Sequence, residues 1–154
     1  MRFNRERLTA VWDEILPLIE AHSKEVGIDL EFAPNRLVYE NLERIESLVI
    51  FTMRDSVEIA MDRAAGVGLL IGYAVFTVFD NPLFRVRQAI QDGLYVVPGK
   101  RGYRSQRFLT WTDDELKKLG AHQVVRAVTR KLDYSPMLKK FGYEEMDRIF
   151  TRRF

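Results

Sequence analysis

The stretch Asp92-Gly-Leu-Tyr-Val-Val-Pro-Gly-Lys-Arg-Gly-Tyr-Arg-Ser-Gln-Arg107 is a β-rich run that breaks at Pro98-Gly99 and continues as a basic, glycine-containing helix start. The first N–H groups of a helix have no partner within it, and the helix dipole adds partial positive charge at that end. A phosphate satisfies both, so the stretch predicts an anion-binding site. Four side chains are expected to add mobile positive charge beside it: Lys100, Arg101, Arg104 and Arg107. The alternative is an ordinary strand-to-helix connection with solvated arginines, because short motifs alone are weak evidence.

The residues after this stretch alternate between helical and extended patterns. Arg104 to Leu119 has helical spacing of apolar residues, and Gly120 follows where a left-handed helix end is expected. Gln123 to Thr129 is rich in β-branched residues and predicts a strand. Ser135-Pro136 begins a short helix that extends to Lys140, and Met146 to Phe150 predicts a last strand.

The residues before the stretch predict two helices and then strands. Arg5 to Glu25 has one apolar face, with a kink or break expected at Pro17 and an end near Gly27. A second helix is predicted from Pro34-Asn35 to about Arg44. The remaining segments are expected to be extended or turns: Ser47–Arg54 as a strand, Ser56–Met61 as its continuation or hairpin partner, Asp62–Gly66 as a turn and Gly66–Phe79 as a buried strand. That apolar run is about fourteen residues, short of the roughly twenty that span a bilayer.

Four segments, in this order along the chain, carry a resemblance to the GNAT superfamily of acyl-coenzyme A-dependent N-acyltransferases. They are Gly72-Tyr-Ala-Val-Phe76, Leu94-Tyr-Val-Val-Pro98 with Arg101-Gly-Tyr-Arg-Ser-Gln106, Leu116-Lys-Lys-Leu-Gly-Ala121, and Met137-Leu-Lys-Lys-Phe-Gly-Tyr143. They are similar to an upstream Gly-Tyr strand, the central strand with its pyrophosphate loop, the end of the following helix, and a C-terminal Leu-Tyr-x-Lys-x-Gly-Phe element. Asn81-Pro82, followed by a basic and glutamine-containing segment, is similar to the bacteriophage-encoded branch.

The resemblance implies an α/β fold with a mixed central sheet flanked by helices and with an N-terminal helical extension. Such a fold begins with a strand, here expected to be short, around Ile28 to Phe32, or missing. The implied reaction is acetyl transfer from acetyl-CoA to an amine by direct attack in a ternary complex, with the carbonyl oxygen polarised by a backbone N–H of Tyr95 to Val97. The expected coenzyme-binding residues are Tyr95, Val96, Val97, Lys100, Arg101, Gly102, Tyr103, Arg104, Ser105 and Gln106.

The chain departs from the family pattern at two places. Arg104 and Gln106 stand where the pyrophosphate loop usually has small residues, which places coenzyme binding in doubt. Leu138 occupies the position at which many members carry the tyrosine that protonates the leaving thiolate. The acid must then come from elsewhere, and Tyr134, one helical turn upstream, is the candidate; the alternative is a packing aromatic.

Asp92 is the candidate base. It stands at the start of the central strand, where family members often place an acidic residue facing the substrate amine. Its alternative role is a turn residue, since Asp-Gly favours turns. His22 and His122 are expected near helix ends, where imidazole is favoured by the helix dipole rather than by catalysis. No metal site is predicted from the spacing of His, Asp and Glu.

Composition bounds the remaining possibilities. The chain has 154 residues, 47% of them hydrophobic, which predicts one packed domain. Residues 1–46 are expected to be mainly helical, and 47–154 to hold the sheet, the coenzyme loop and the C-terminal helix and strand. The 24 basic and 22 acidic residues nearly balance. The chain has no cysteines, which excludes disulfides and a cysteine nucleophile.

Two other function classes stay open beside the acyltransferase. One is a GNAT-like binding or structural module without catalysis. The other is a nucleic-acid-binding module with a basic face made by Arg101, Arg104, Arg107, Arg126, Arg130 and Lys131. The acyltransferase interpretation predicts acetyl-CoA and an amine acceptor as partners, with nucleic acid unexpected except as a modified base, no membrane partner, no metal, and a monomer or homodimer. The predicted location is the cytoplasm, that of the host if the chain is encoded by a phage.

Overall fold

The computed structural model describes residues 1–28, 30–55 and 68–146. It is a mixed α/β structure, as predicted. Its elements in chain order are β1 (Arg2–Glu6), α1 (Leu8–Val26), α2 (Arg36–Arg44), β2 (Leu48–Arg54), β3 (Leu70–Asp80), β4 (Arg87–Val96), a 3-10 turn (Pro98–Lys100), α3 (Tyr103–Lys118), β5 (Gln123–Val125) and α4 (Ser135–Lys140).

The five strands form one sheet in the order β1-β2-β3-β4-β5. Neighbouring strands are antiparallel except β4 and β5, which are parallel. Every residue of β2 is buried because helices cover both faces of the sheet. On one face Phe51 and Phe76 pack with Phe108 of α3. On the other face Val11 of α1 lies among apolar residues of β2 and β3.

Helix α1 begins and ends close to the predicted limits. It ends at Gly27, whose φ of +74° is the left-handed conformation that favours glycine. The break expected at Pro17 is wrong, since the helix continues through that residue. Proline inside a helix costs about 3 kcal/mol. Full burial of Val11 and Ile15 against the sheet contributes about 1.5–3 kcal/mol each and offsets that cost.

The expected position of the first strand is wrong. Residues 28 and 30–32 form no strand, and β1 lies before α1, where Arg2 to Glu6 pairs with β2. Charged residues suit this edge position. Arg54 at the end of β2, only 3% exposed, explains the pairing, because its guanidinium donates to Glu6 at 2.7 and 3.0 Å and to Glu14 of α1 at 2.9 and 3.0 Å.

The C-terminal half follows the predicted pattern with one shorter strand. Helix α3 spans one residue more at its start and one fewer at its end than predicted, and Gly120 beyond it has φ +83°. Strand β5 ends at Val125, four residues before the predicted end. The strand predicted for Met146 to Phe150, apart from Met146 itself, and the segments Ser56–Met61 and Asp62–Gly66 lie outside the described residues.

Candidate active site

The site begins at an irregularity in β4. Val75 of β3 faces Gly93 and the next residue, Phe76, faces Gln91, so Asp92 is an extra residue on β4. Such a bulge bends its strand and redirects a side chain. Asp92 was expected at the start of the central strand, and it lies inside the strand instead. Beside the bulge, pairing between β4 and β5 stops at Ile90 and Val125. Among the described residues, the remainder of β4 therefore has an edge with no neighbouring strand.

The backbone of this open edge presents hydrogen-bonding groups to the gap. The Val97 N–H donates to the Ile71 carbonyl at 3.0 Å, so Val97 is bonded to β3. Alternate residues of a strand point their N–H and C=O groups to opposite sides, so those of Val96 face the gap. The Val96 carbonyl accepts from Arg101 Nε at 2.8 Å, in agreement. The Val96 N–H is thus the donor available to a ligand in the gap, whereas that of Val97 is not.

A cavity of about 470 Å³ occupies the gap between β4, the start of α3, the end of α1 and the loop before α4. Of the predicted site residues, those that line it are Asp92, Tyr95, Val96, Arg101, Gly102, Ser105, Gln106 and Tyr134. Those outside its lining are Val97, Lys100, Tyr103 and Arg104. The cavity therefore joins the bulge, the open strand edge and the helix start.

The start of α3 has the features of an anion-binding site. Gly102 precedes the helix with φ +93°, a conformation that L residues rarely adopt. Within the described parts of the chain, no side chain caps the first N–H groups of α3. The buried Ser105 hydroxyl, in the first turn, has no hydrogen-bond partner among the described residues. Buried polar atoms are normally paired, so these groups have unused capacity for a ligand at the cavity wall.

The basic residues near this helix start are less mobile than expected. Arg101 makes a bidentate ion pair with Glu25 of α1, in which its two Nη atoms donate to the two carboxylate oxygens at 2.7 and 2.6 Å. Lys100 donates to Asp55 at 2.6 Å. Both cations therefore hold the loop in place instead of standing free beside it. Arg104 is exposed and directed outside the cavity lining, so its side chain leaves the helix start open.

Asp92 is exposed at the cavity wall. Its carboxylate accepts a hydrogen bond from the Thr77 hydroxyl at 2.6 Å. Partial desolvation in the concave wall raises the pKa of Asp92, and the Thr77 hydrogen bond opposes part of that shift. The carboxylate is consequently a stronger base than an ordinary aspartate.

Tyr134 also lines the cavity, and its hydroxyl group makes two hydrogen bonds. It accepts from Gln91 Nε2 and donates to the Ala127 carbonyl, both at 3.0 Å. Desolvation raises the pKa of Tyr134, so the phenol keeps its proton at neutral pH. Leu138 is buried and lies outside the cavity lining, so the family's usual tyrosine position belongs to the core here.

His22 is the cavity residue that sequence reasoning rejected. Its Nδ1 lies 2.9 Å from the Tyr73 hydroxyl, and its ring stacks on Tyr95 with centroids 5.3 Å apart. Desolvation lowers the pKa of His22; nearby Glu25 opposes this shift and Arg101 adds to it. The imidazole is therefore neutral at pH 7. The available signal was the helical spacing in α1, which places His22 one turn from Glu25 and toward the sheet.

The lowered pKa of His22 predicts how stability depends on pH. Because the unfolded chain binds a proton near pH 6.5 and the folded chain only at lower pH, folding stability should fall as pH decreases below about 6.5. His22→Gln should reduce that dependence between pH 7.5 and 5.5 in urea unfolding. His122→Gln is the matched control, because His122 is exposed just before β5 and lies outside the cavity lining. If stability depended on pH in His22→Gln as it does in the wild-type protein, His22 would not be the group with the lowered pKa.

Behind the cavity lies a buried cluster centred on Arg126, whose side chain is 0% exposed. It donates to Gln91 at 2.7 Å and to Thr112 and the Tyr143 hydroxyl at 2.8 Å, and it pairs with Asp113. The basic face predicted for nucleic acid is therefore wrong at two positions. Arg126 is inside the protein and Arg101 is paired with Glu25, so these two residues do not add free charge to such a face.

Two further searches concern only residues 1–28, 30–55 and 68–146. In that part, none of the helices is both long enough and apolar enough to span a bilayer. The same residues contain no group of three or more histidines and carboxylates placed to hold a metal ion.

The chain is similar in structure to several solved acetyltransferases. A predicted acetyltransferase with acetyl-CoA from Clostridium acetobutylicum superposes with a TM-score of 0.73 at 14% identity, covering 99% of this chain and 95% of that one. An aminoglycoside acetyltransferase from a soil metagenomic sample, in complex with sisomicin, has a TM-score of 0.70 at 15% identity, with coverage of 99% and 95%. A ribosomal-protein-alanine N-acetyltransferase from Brucella melitensis has a TM-score of 0.65 at 16% identity, with both chains fully covered.

No protein-family model and no curated protein matches the sequence. The likeness is therefore one of structure, and it extends over the whole chain. The five-stranded sheet flanked by helices is the GNAT acetyltransferase fold.

Proposed function

We propose that this protein is an acyl-CoA-dependent N-acyltransferase that transfers an acetyl group from acetyl-CoA to a primary amine. One observation carries the proposal: a single cavity connects the open edge of β4 to the uncapped start of α3. A thioester with a pyrophosphate-bearing tail needs both, a donor for its carbonyl oxygen at one end and an anion site at the other.

The residues that line the cavity fit an acyl donor of this kind. The N–H groups at the start of α3 and the unpartnered Ser105 hydroxyl supply hydrogen bonds to phosphate oxygens. Gln106 and Arg101 add polar groups at the same wall. The Val96 N–H, directed into the gap, would polarise the thioester carbonyl. When bound, the coenzyme supplies the activated acyl group, and the protein supplies its orientation.

Asp92 is proposed to accept the proton of the attacking amine, and Tyr134 to donate one to the departing sulfur. In this step the amine nitrogen bonds to the carbonyl carbon, the carbon–sulfur bond breaks, and the two side chains exchange protons with solvent afterwards. An amine is the group that sisomicin and a ribosomal-protein alanine, named in two of the structural neighbours, have in common. The branch encoded by bacteriophages and the cytoplasmic location stay predictions from the sequence.

Calorimetry and thermal unfolding with acetyl-CoA test donor binding directly. A ligand at a hundredfold excess over its dissociation constant stabilises the folded state by about 2.7 kcal/mol. Catalysis is then measured as release of free thiol from acetyl-CoA with a panel of an aminosugar, a polyamine and a peptide with a free N-terminus. Because the chain has no cysteine, the protein itself contributes no thiol signal.

The outcomes separate the function classes. Binding together with amine-dependent thiol release supports the acyltransferase. Binding without release for any amine favours the GNAT-like module without catalysis. Absence of any interaction with acetyl-CoA would overturn the proposal, and a tight, salt-sensitive affinity for DNA or RNA would revive the nucleic-acid alternative.

A further inference from the structure

Tyr134 is connected to the buried guanidinium of Arg126 through one glutamine. Arg126 Nη1 donates to Gln91 Oε1 at 2.7 Å, and Gln91 Nε2 donates to the Tyr134 hydroxyl at 3.0 Å. Gln91 is buried and lies on β4 next to the bulge. The three side chains thus form a line from the core to the cavity wall.

The charge of Arg126 fixes which way the Gln91 amide points. A guanidinium has only donors and stays protonated, so the amide atom beside it must be the oxygen. The Gln91 nitrogen then faces Tyr134 and must donate. Since the Tyr134 oxygen accepts that bond, its own proton goes to another acceptor, and the Ala127 carbonyl at 3.0 Å receives it.

The guanidinium itself is held rigidly. It donates to Thr112 and Tyr143, pairs with Asp113, and lies 5.1 Å from the centre of the Phe76 ring. Tyr143 also donates to Asp113 at 2.8 Å. The cluster is therefore a fixed support, because displacing Arg126 would break all of these contacts together.

We propose that Gln91, oriented by Arg126, is a positioning residue that prepares Tyr134 to donate its proton to the leaving sulfur. This inference rests on the proposed function. When the Tyr134 proton turns from Ala127 toward the sulfur and is transferred there, the phenolate that remains still accepts the Gln91 N–H. Gln91 Nε2 also lies 3.4 Å from the Ala127 carbonyl oxygen and donates its second hydrogen there, so that carbonyl keeps a partner. Solvent later returns the proton to Tyr134.

Gln91 and Arg126 both favour loss of the Tyr134 proton. The Gln91 hydrogen bond and the positive charge of Arg126 lower the pKa of Tyr134, although burial outweighs them. Without them the phenol would hold its proton more tightly and be a weaker acid.

The test uses Gln91→Glu and Gln91→Met. Glutamate still accepts from Arg126 but has no N–H for Tyr134, whereas methionine removes both bonds and leaves Arg126 with one partner fewer. Gln91→Glu therefore preserves the cluster around Arg126, whereas Gln91→Met is expected to destabilise the fold. Gln88→Glu is the matched control, because Gln88 lies on the same strand, hydrogen-bonds to Asn81, and is outside the cavity lining.

Two readouts are measured on each variant. The ionisation of Tyr134 is followed without ligand by fluorine NMR of protein labelled with fluorotyrosine. The chain has six tyrosines, and the signal missing in Tyr134→Phe is that of Tyr134. We expect the Tyr134 pKa to rise in both Gln91 variants but not in Gln88→Glu. We also expect kcat to fall roughly ten- to hundredfold with little change in KM for acetyl-CoA, the loss of one hydrogen bond to a developing charge.

An unchanged Tyr134 titration in Gln91→Glu would overturn the inference, whatever the activity. So would a rise in KM alone with kcat preserved. A wild-type protein that transfers no acyl group would instead overturn the proposed function, so the two failures are distinguishable.

Discussion

Asp92→Asn is expected to lower kcat by about 10²- to 10⁴-fold while leaving the affinity for acetyl-CoA nearly unchanged. The donor would be held by the start of α3 and by the Val96 N–H, neither of which involves the Asp92 carboxylate. Asparagine keeps the size of aspartate and can still bond to Thr77, so the bulge should persist. Calorimetry with acetyl-CoA and thiol release with a competent amine measure the two quantities.

The pH profile makes this prediction more specific. Activity of the wild-type protein should decline as pH falls through the raised pKa of Asp92, since the protonated carboxyl accepts no proton. That decline should disappear in Asp92→Asn. Thr77→Val is the matched control: it removes the hydrogen bond that lowers the Asp92 pKa, so the decline should move to higher pH.

Two outcomes would contradict this role for Asp92. Full activity of Asp92→Asn would remove the carboxylate from the mechanism and make His22 the next candidate, because it lines the same cavity in its neutral form. A large loss of thermal stability in the variant would instead reveal a structural role at the bulge.

Local sequence signals predicted most of the fold. Gly27 and Gly120 end helices because both adopt positive φ, and Asn35 caps α2 through its side chain, which accepts from the Val38 N–H. Each of these effects acts within a few residues, so the amino acids involved are adjacent in the sequence. Strand β1 was missed because its partners lie far along the chain: it pairs with β2, and Glu6 bonds to Arg54, 48 residues away.

The site was harder to predict because its contacts are distant in sequence. Arg101 and Glu25 are 76 positions apart, and nothing near Arg101 shows that its charge is already paired. His22 lies 51 positions from Tyr73, which holds it at the cavity. The bulge at Asp92 depends on the register between β3 and β4, a property of two strands together. What sequence did indicate was the helix start at Gly102, where the geometry is local.

Gly102→Asp is expected to weaken acetyl-CoA binding by about 10²-fold or more. A carboxylate at this position would be brought against the coenzyme phosphates, and it would accept hydrogen bonds from the same N–H groups at the start of α3. There is room for the side chain, because a Cβ on Gly102 meets no described atom within 4 Å. The φ of +93°, however, makes any side chain there strained, at a cost of about 1–3 kcal/mol in folding stability.

Gly102→Ala separates charge from strain, since alanine meets the same backbone penalty without a carboxylate. We expect both variants to lose similar folding stability in urea unfolding, and only Gly102→Asp to lose most of its affinity for acetyl-CoA in calorimetry. The affinity gap between them should narrow as salt is added, because screening weakens repulsion between exposed charges. Equal affinities for the two variants would show that the start of α3 does not contact the phosphates, and the phosphate site would then have to lie elsewhere along the cavity.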